Sequence, residues 1–297
     1  MLVKRDRREA MVEFLQHVGN GLVIGGGYAL IGIGLTMILG IMNVVNFAHG
    51  ELYMLGAYFL FSLTRFLGLN FFVALILSML GVMAIGFLIE KSILRPLRNR
   101  SLDMALLATI GLSIFLQNLA RFIWTPVPQM IQHPFPPIAA AIGPVRITEL
   151  RLFAALVALA CIILTHLLVK KTRLGKAMRA TFQDREIAAL LGIRVDRIYS
   201  FTFGFGSALA AVAGTLLGTI FVLKPTMGDF AIVKAFAVVI LGGMGSFPGA
   251  ILGGLILGVA ENLGAAYISS GYKDVIAFAL IIFILILKPS GLLGKRK

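Results

Sequence analysis

The chain has 297 residues, of which 59% are hydrophobic and only 13% charged, and its mean hydropathy is +0.96. A soluble domain of this length needs a far more polar exterior, so the composition excludes a soluble globular protein and predicts a polytopic integral membrane protein. The net charge of +14 does not indicate nucleic-acid binding, because the basic residues cluster at the ends of apolar runs, as the positive-inside rule describes.

An uncharged segment of 37 residues, from Phe14 to Gly50, follows the charged N-terminal residues. This segment is too long for a signal-peptide core, so we expect the N-terminus to be retained. As one helix it would span roughly 55 Å at about 1.5 Å per residue, against a hydrocarbon core of about 30 Å. A single straight span is therefore excluded, and the expected break is the polar stretch from Gly40 to Glu51.

Four polar residues mark this break: Asn43, Asn46, His49 and Glu51. The uncharged run after it, Leu52 to Thr64, has only 13 residues, so the second span has to begin near Asn46. This puts Asn46, His49 and Glu51 at or inside the membrane boundary, where ionisable groups are costly. Two interpretations stay open for these residues: a cap or hinge of the second helix, or the lining of a transport path.

Further apolar runs bring the prediction to about eight transmembrane helices in an all-α fold. These runs are Phe66–Ile89, Met104–Ala120, Leu152–Val169, Ile198–Leu223, Ala235–Ala260 and Val275–Leu287. The run 235–260 contains Gly242, Gly243, Gly245 and Pro248, which predict a broken helix or a tight turn, with a role in gating as the alternative. No internal repeat is strong enough to assert.

The sidedness of the helices stays open at this point. With both basic termini in the cytoplasm, three crossings before the basic loop Lys91–Arg100 would put that loop outside, against the positive-inside rule. Either a segment near 43–50 or near 242 is re-entrant, or the N-terminus lies outside. We therefore expect one or two broken or re-entrant segments.

Two loops differ sharply in character. The loop at about 125–149 contains six of the ten prolines and only Arg146 and Glu149 as charges, so we predict that it is external. The segment Lys170–Arg197 contains eight basic and three acidic residues between two uncharged runs, so it is predicted to be a cytoplasmic loop. Its helical pattern and mixed charge indicate a docking surface for a soluble partner.

The chain offers little for catalysis. It has no nucleotide-binding P-loop, no H-E-x-x-H and no G-x-S-x-G motif, and its single cysteine, Cys161, lies in an apolar run. The pair His49 and Glu51 supplies two possible metal ligands without an identifiable third. We therefore expect no enzyme activity, no metal and no cofactor in this chain, and any ATP that drives it has to be hydrolysed by another subunit.

The cytoplasmic loop resembles the coupling loop of ABC-importer permeases. In those proteins the pattern is Glu-Ala-Ala, three residues and then Gly, and Glu186, Ala188 and Gly192 match it, whereas Ile187 departs from it and the downstream Ile-x-Leu-Pro is absent. A short helix of this kind fits a groove on an ATPase subunit, and closure of the ATPase pair can then pull on the attached spans.

A wider resemblance covers about Gly21 to Gly294. Its motifs are NFAHGELYMLGAY at Asn46–Tyr58, GKAMRA at Gly175–Ala180 with QDRE at Gln183–Glu186 and LLGI at Leu190–Ile193, and LGGMGSFPGA at Leu241–Ala250. In this order they resemble the permease subunits of branched-chain amino acid (leucine, isoleucine, valine) ABC importers, specifically the subunit with the Asn-Phe-Ala-His-Gly-Glu signature. Urea and short-amide permeases share much of the pattern, so that substrate remains an alternative.

The resemblance implies one transmembrane permease domain over 1–297 in the bacterial cytoplasmic membrane. It implies a homologous second permease, two ATPase subunits that bind ATP, and an external substrate-binding protein received in part by the loop 125–149. The residues expected in the ATPase-coupling loop are Gly175, Arg179, Asp184, Arg185, Glu186, Ala188, Gly192 and Arg194. Those expected in the path or a hinge are Asn43, Asn46, His49, Glu51, Gly242, Gly243, Gly245 and Pro248.

Other classes of protein stay open. A self-contained channel or secondary transporter would use intramembrane acids such as Glu51, Glu261 and Asp229. That hypothesis gives the polar cytoplasmic loop no use. A membrane enzyme would show activity in the isolated chain.

Overall fold

The computed structural model describes residues 7–98, 100–136, 139–142, 145–269, 271 and 273–294. The first basic residues Lys4 and Arg5, the last ones from Lys295 to Lys297, and Pro137 and Pro144 of the proline-rich loop lie outside this range.

The described chain is helical, with one small hairpin. The helices are α1 (Arg7–Met42), α2 (His49–Arg65), α3 (Phe71–Ile89), α4 (Arg95–Leu97), α5 (Leu102–Trp124), α6 (Glu149–Lys171), α7 (Arg173–Gln183), α8 (Arg185–Leu190), α9 (Val195–Ile220), α10 (Met227–Gly242), α11 (Phe247–Tyr267) and α12 (Lys273–Leu287). A π-helical turn, Glu90–Leu94, joins α3 to α4, and β1 (Ala139–Ile142) pairs antiparallel with β2 (Val145–Thr148).

Within the described residues, six helices are long and apolar enough to cross a membrane, namely those built on α1, α3, α5, α6, α9 and α11. The apolar helices α2, α10 and α12 are shorter, with 17, 16 and 15 residues. The prediction of a polytopic helical membrane protein is confirmed. The apolar run 235–260 is divided between α10 and α11.

The long N-terminal apolar segment breaks where its length requires. Helix α1 ends at Met42, and Asn43 follows with a left-handed φ of 54°, a conformation that Asn adopts more readily than most residues. The chain then runs without helical structure to Ala48, and α2 begins at His49. The polar stretch that interrupts the sequence pattern is therefore the connection between a long helix and a short one.

The same arrangement occurs again later in the chain. The long helix α9 is followed by a non-helical segment at 221–226 and then by the short helix α10. We call α1 to α3 the first unit and α9 to α11 the second unit. The two units pack on each other in the same way, because α1 packs on α10 and α11 while α9 packs on α2 and α3. Each short helix therefore lies against the long helix of the other unit.

The two units run in opposite directions. Near the start of α1, the Gln16 side chain exchanges hydrogen bonds of 2.6 and 2.7 Å with the backbone of Arg146, so α1 begins at the end of the molecule that carries the proline-rich loop. At the other end of α1, a Cβ on Gly40 would lie 3.1 Å from the ring of Phe182 in the cytoplasmic loop. Helix α9 begins at that same end. With the proline-rich loop outside, as predicted, this arrangement puts the N-terminal end of α1 on the outer side.

Small residues allow the helix backbones to touch. A Cβ on Gly56 of α2 would lie 2.5 Å from Ala211 of α9, and a Cβ on Gly214 of α9 would overlap the backbone oxygen of Tyr53. Close approach of this kind is the usual way to pack helices where lipid removes the hydrophobic drive between them. The many glycines therefore serve packing at this interface.

We expect Gly214→Ala to destabilise the chain by about 1–3 kcal/mol, because the added methyl group overpacks the contact with α2. Gly111→Ala is the matched control, since Gly111 also lies inside a helix but its Cβ would meet no described atom within 4 Å. That change should be neutral or stabilising by roughly 0.5–1 kcal/mol. Thermal unfolding of the full chain in detergent measures both, and equal melting temperatures for the two variants would contradict the contact.

Candidate functional site

The N-terminal ends of the two short helices meet inside the protein. A Cβ on Gly50 of α2 would overlap the backbone oxygen of Gly228 in α10, so the backbones of the two helices touch at this point. Each glycine is followed by an acid, Glu51 in α2 and Asp229 in α10, within the first turn of its helix. Carboxylates in this position are stabilised by the positive end of the helix dipole. We call this meeting point the junction.

Asn46 and His49 hold the chain that leads into the junction. Both side chains are fully buried. The Asn46 side-chain oxygen accepts a hydrogen bond from the Ala48 N–H at 3.1 Å, and His49 Nε2 lies 3.1 Å from the backbone oxygen of Ile31 in α1. Among the described residues, Asn46 Nδ2 and His49 Nδ1 have no hydrogen-bond partner. These contacts agree with the interpretation of Asn46 and His49 as a cap or hinge of α2.

A polar stripe on α5 leads away from the junction. Ser113, Gln117 and Arg121 follow each other at intervals of four residues and therefore share one face of the helix. Ser113 donates to Glu51 Oε1 at 3.2 Å, Gln117 donates to Asp229 at 2.8 Å, and Arg121 donates to Gln117 at 3.0 Å. Glu51 is buried and its Oε2 has no hydrogen-bond partner among the described residues, whereas Asp229 and Arg121 are exposed.

The glycine-rich turn between α10 and α11 lies at the end of the molecule that carries the coupling loop. Gly243 and Gly245 have φ values of 97° and 78°, which side chains with a Cβ rarely adopt. Gly242, the last residue of α10, packs against the backbone of Gly249, and Pro248 lies in the first turn of α11. The turn is tight because its glycines allow both the positive φ and the backbone contact.

The predicted coupling loop folds into α7 and α8. Thr172 caps α7 by accepting from the Gly175 N–H at 3.0 Å, and a Cβ on Gly175 would overlap the backbone oxygens at the end of α6. Arg179 donates to the Val169 backbone oxygen at that same helix end. Asp184 caps α8 by accepting from the N–H groups of Glu186 and Ile187 at 2.8 and 3.0 Å. The loop is therefore a defined structure attached to α6.

Gly192 ends α8 in a Schellman motif. Its φ is 83°, its N–H donates to the Ala189 oxygen, and the Ile193 N–H donates to the Ala188 oxygen, each at 3.0 Å. This explains why a glycine follows the helix at that spacing. Ala188 is 1% exposed and anchors α8 on the protein.

The outer face of α8 is exposed in the described chain. Leu190 is 88% exposed, Leu191 75% and Ile187 55%, and the charged Arg185, Glu186 and Arg194 are exposed beside them. Apolar side chains at this exposure on a polar loop are typical of an interaction surface. We call this face the docking face.

One network at this end was missed by the sequence analysis. Glu90, in the π-helical turn, is fully buried and accepts from Arg98 at 2.6 Å and from Ser200 of α9 at 2.5 Å. Arg98 also pairs with Asp196 and lies 4.3 Å over the Tyr199 ring. The sequence signal for this network was Glu90 itself, an acid that follows an apolar run and directly precedes the basic loop Lys91–Arg100. The network joins α3 to the start of α9, directly after the coupling loop.

A buried ion pair inside the second unit was also missed. Lys234 of α10 and Glu261 of α11 are 7% and 5% exposed, and their charged atoms lie 2.5 Å apart. Tyr28 of α1 donates to the other oxygen of Glu261 at 2.9 Å. In the sequence these two charges flank the uncharged run 235–260.

No group of three or more His, Cys, Asp or Glu in the described residues is placed to bind a metal ion.

Three comparisons with known proteins agree. A family model described as "Branched-chain amino acid transport system / permease component" matches residues 17–285. The chain is 40% identical to the high-affinity branched-chain amino acid transport system permease protein LivH of Salmonella typhimurium, over 97% of each chain. It is 40% identical to the permease protein BraD of Pseudomonas aeruginosa, over 95% of this chain and 96% of that one.

Two more distant matches add to this. The permease protein LivM of Escherichia coli is 28% identical over 90% of this chain and 67% of its own length. Among solved structures, PsaBC from Streptococcus pneumoniae in complex with Fab matches with a TM-score of 0.51 at 13% identity, over 94% of this chain and 97% of that chain. At this identity the structural match supports the fold alone.

We expect Arg98→Ala to destabilise the protein by about 3–5 kcal/mol, because it leaves the buried carboxylate of Glu90 without its cation. Arg95→Ala is the matched control: Arg95 pairs with Asp196 at 2.6 Å, but these two side chains are 46% and 52% exposed, so its loss should cost about 0–1 kcal/mol. Thermal unfolding of the full chain in detergent separates the two. Similar losses for both variants would argue against the buried network.

Proposed function

The chain belongs to the family of permease components of branched-chain amino acid transport systems, and we propose that it forms part of the translocation path for leucine, isoleucine and valine in an ABC importer. The observation that carries the ATP-driven part of this proposal is the docking face of α8. A channel or secondary transporter has no use for apolar side chains exposed on a capped, rigid cytoplasmic helix.

We assign the docking face to an ATPase subunit. A short helix with protruding leucines fits a groove on a partner, and the flanking charges of Arg185, Glu186 and Arg194 add orientation. ATP is then bound and hydrolysed in that partner, and this chain supplies no cofactor site of its own. Gly175, Arg179 and Asp184 act within the loop, since they fix α7 and α8 to each other and to α6.

The second permease is proposed to cover the face of α5 and α10. Charged and polar side chains exposed at membrane depth are costly next to lipid, and they normally face a protein interior or a water-filled cavity. Arg121 of the polar stripe and Asp229 of α10, both exposed, meet this condition. Similarity of the chain to proteins named LivH and LivM supports a homologous partner, and a pair of permeases would enclose the stripe in a path between them.

The remaining assignments follow from the same model. The proline-rich loop 125–149 lies at the end opposite the docking face, where an external substrate-binding protein would deliver the amino acid. The bacterial cytoplasmic membrane is the proposed location. Asn43, Asn46, His49 and Glu51 are proposed to form the hinge of α2 beside the path, and Gly242, Gly243, Gly245 and Pro248 the turn that follows α10.

The test is ATP-dependent uptake of labelled leucine and, in parallel, urea, in vesicles that hold the chain with its partner subunits. We expect leucine uptake by the wild type and a fall of at least about tenfold, equivalent to about 1.4 kcal/mol of coupling, in Leu190→Ala and Glu186→Lys. The reason is that both changes alter the docking face without disturbing a buried contact. Membrane insertion should be normal in both.

Leu164→Ala is the matched control, because it truncates a leucine of 64% exposure on the membrane-spanning helix α6 and should leave uptake unchanged. Uptake of urea without leucine would keep the architecture and overturn the substrate. Solute flux through the purified chain without any ATPase would sink the ABC assignment altogether.

A further inference from the structure

A cavity of about 350 Å³ lies between α1, α2, the C-terminal end of α9 and α10. Its walls are mainly apolar and include Ile31, Leu217, Met227, Phe230 and Ala231. The volume is at the lower end of the range of roughly 300–1,000 Å³ for small-molecule sites, which suits a small metabolite. The cavity is partly open, so a small molecule can enter it.

The cavity is not purely apolar, because Lys224, Thr226, Lys234 and Tyr28 also line it. Lys234 and Tyr28 belong to the cluster with Glu261, in which Lys234 Nζ and the Tyr28 hydroxyl each contact a different carboxylate oxygen at 2.5 and 2.9 Å. Glu261 neutralises the lysine, so the charge is tolerable at membrane depth. The wall of a mainly apolar cavity therefore includes the ammonium of an ion pair as a hydrogen-bond donor.

The position of the cavity links it to the outside of the protein. Phe221 and Phe230, at its rim, are 46% and 63% exposed. Phe230 follows Asp229 directly, so the rim lies at the same end of α10 as the junction. The cavity therefore opens to the surface of the described chain near the start of α10.

We infer that this cavity binds an aliphatic amino acid during transport, with the hydrocarbon side chain against Ile31, Leu217 and Ala231 and the carboxylate directed to Lys234. The inference rests on the proposed function, since it names a site for the proposed substrate. Apolar walls match the side chain of such a molecule, the lysines Lys234 and Lys224 match its carboxylate, and the open side of the cavity leaves its ammonium to solvent. A purely apolar cavity would leave the carboxylate unpaired at a cost far above the gain from its side chain.

The first experiment is protection of a cysteine in the cavity. Ala231→Cys is introduced in a Cys161→Ala background, in the full complex in detergent, and its reaction with a maleimide is followed. Leucine should slow the reaction at least about tenfold at saturation, because it occupies the cavity. Leucinamide, which lacks the carboxylate, should protect only at concentrations at least about tenfold higher.

Val233→Cys is the control, since Val233 lies on the same helix, is 41% exposed and does not line the cavity. Leucine should leave its reaction unchanged. Equal protection at both positions, or none at position 231, would overturn the inference.

The second experiment measures uptake after filling the cavity. Ala231→Leu should reduce leucine uptake at least about tenfold, whereas Val233→Leu should retain it. Normal leucine uptake by Ala231→Leu would overturn the cavity assignment while leaving the proposed function intact. Loss of leucine uptake in the wild-type complex would instead contradict the proposed function itself, so the two failures are distinguishable.

The third experiment addresses the lysine. In the double variant Lys234→Met with Glu261→Gln, neither charge is left unpaired, so folding is preserved more readily than in a single change. In the Ala231→Cys background, leucine and leucinamide should then protect at equal concentrations. A preference for leucine that persists at least about tenfold would show that Lys234 does not read the carboxylate.

Discussion

The structure depends on satisfying the backbone of two interrupted helices. Non-helical chain at membrane depth is tolerated only where the protein itself supplies hydrogen-bond partners. At 43–48, Thr109 of α5 accepts from the Phe47 N–H at 3.4 Å and donates to the Val45 oxygen at 3.3 Å, and Asn46 serves the Ala48 N–H. The polar residues around the first break are therefore explained by the hydrogen bonds that they make with the non-helical backbone.

The second break uses another solution to the same problem. The N–H and the oxygen of Leu223 pair with the backbone of Gln129 at 2.9 and 3.1 Å, so the proline-rich loop supplies partners to the segment 221–226. With both breaks satisfied, α2 and α10 can start within the protein and meet at the junction. The contact between Gly50 and Gly228 is then required, because any side chain there would separate the two helix ends.

The sequence predicted those features that depend on length and local chemistry. The break at 43–48 follows from an apolar run too long for one span, and the short helix α8 follows from the pattern of Glu186, Ala188 and Gly192. It could not predict the pair of Lys234 and Glu261 or the network of Glu90, because these contacts join separate helices. The repeat was missed because its two units share only a spacing: Gly40 and Gly218 each precede the Gly-acid pair of the junction by ten residues.

Helix α10 connects the coupling loop to the cavity. Phe182 of α7 packs beside Gly40 and Gly245, so the coupling loop touches the end of α1 and the turn that follows α10. From that turn α10 runs as one short helix to the junction, and it carries Ala231 and Lys234 of the cavity wall on the way. A displacement of α7 by the proposed ATPase partner would therefore reach the cavity through α10, which is short enough to move as a rigid body between two glycine-lined contacts. Helix α10 starts within the protein and is not itself one of the membrane-spanning helices. Its displacement therefore leaves those helices continuous.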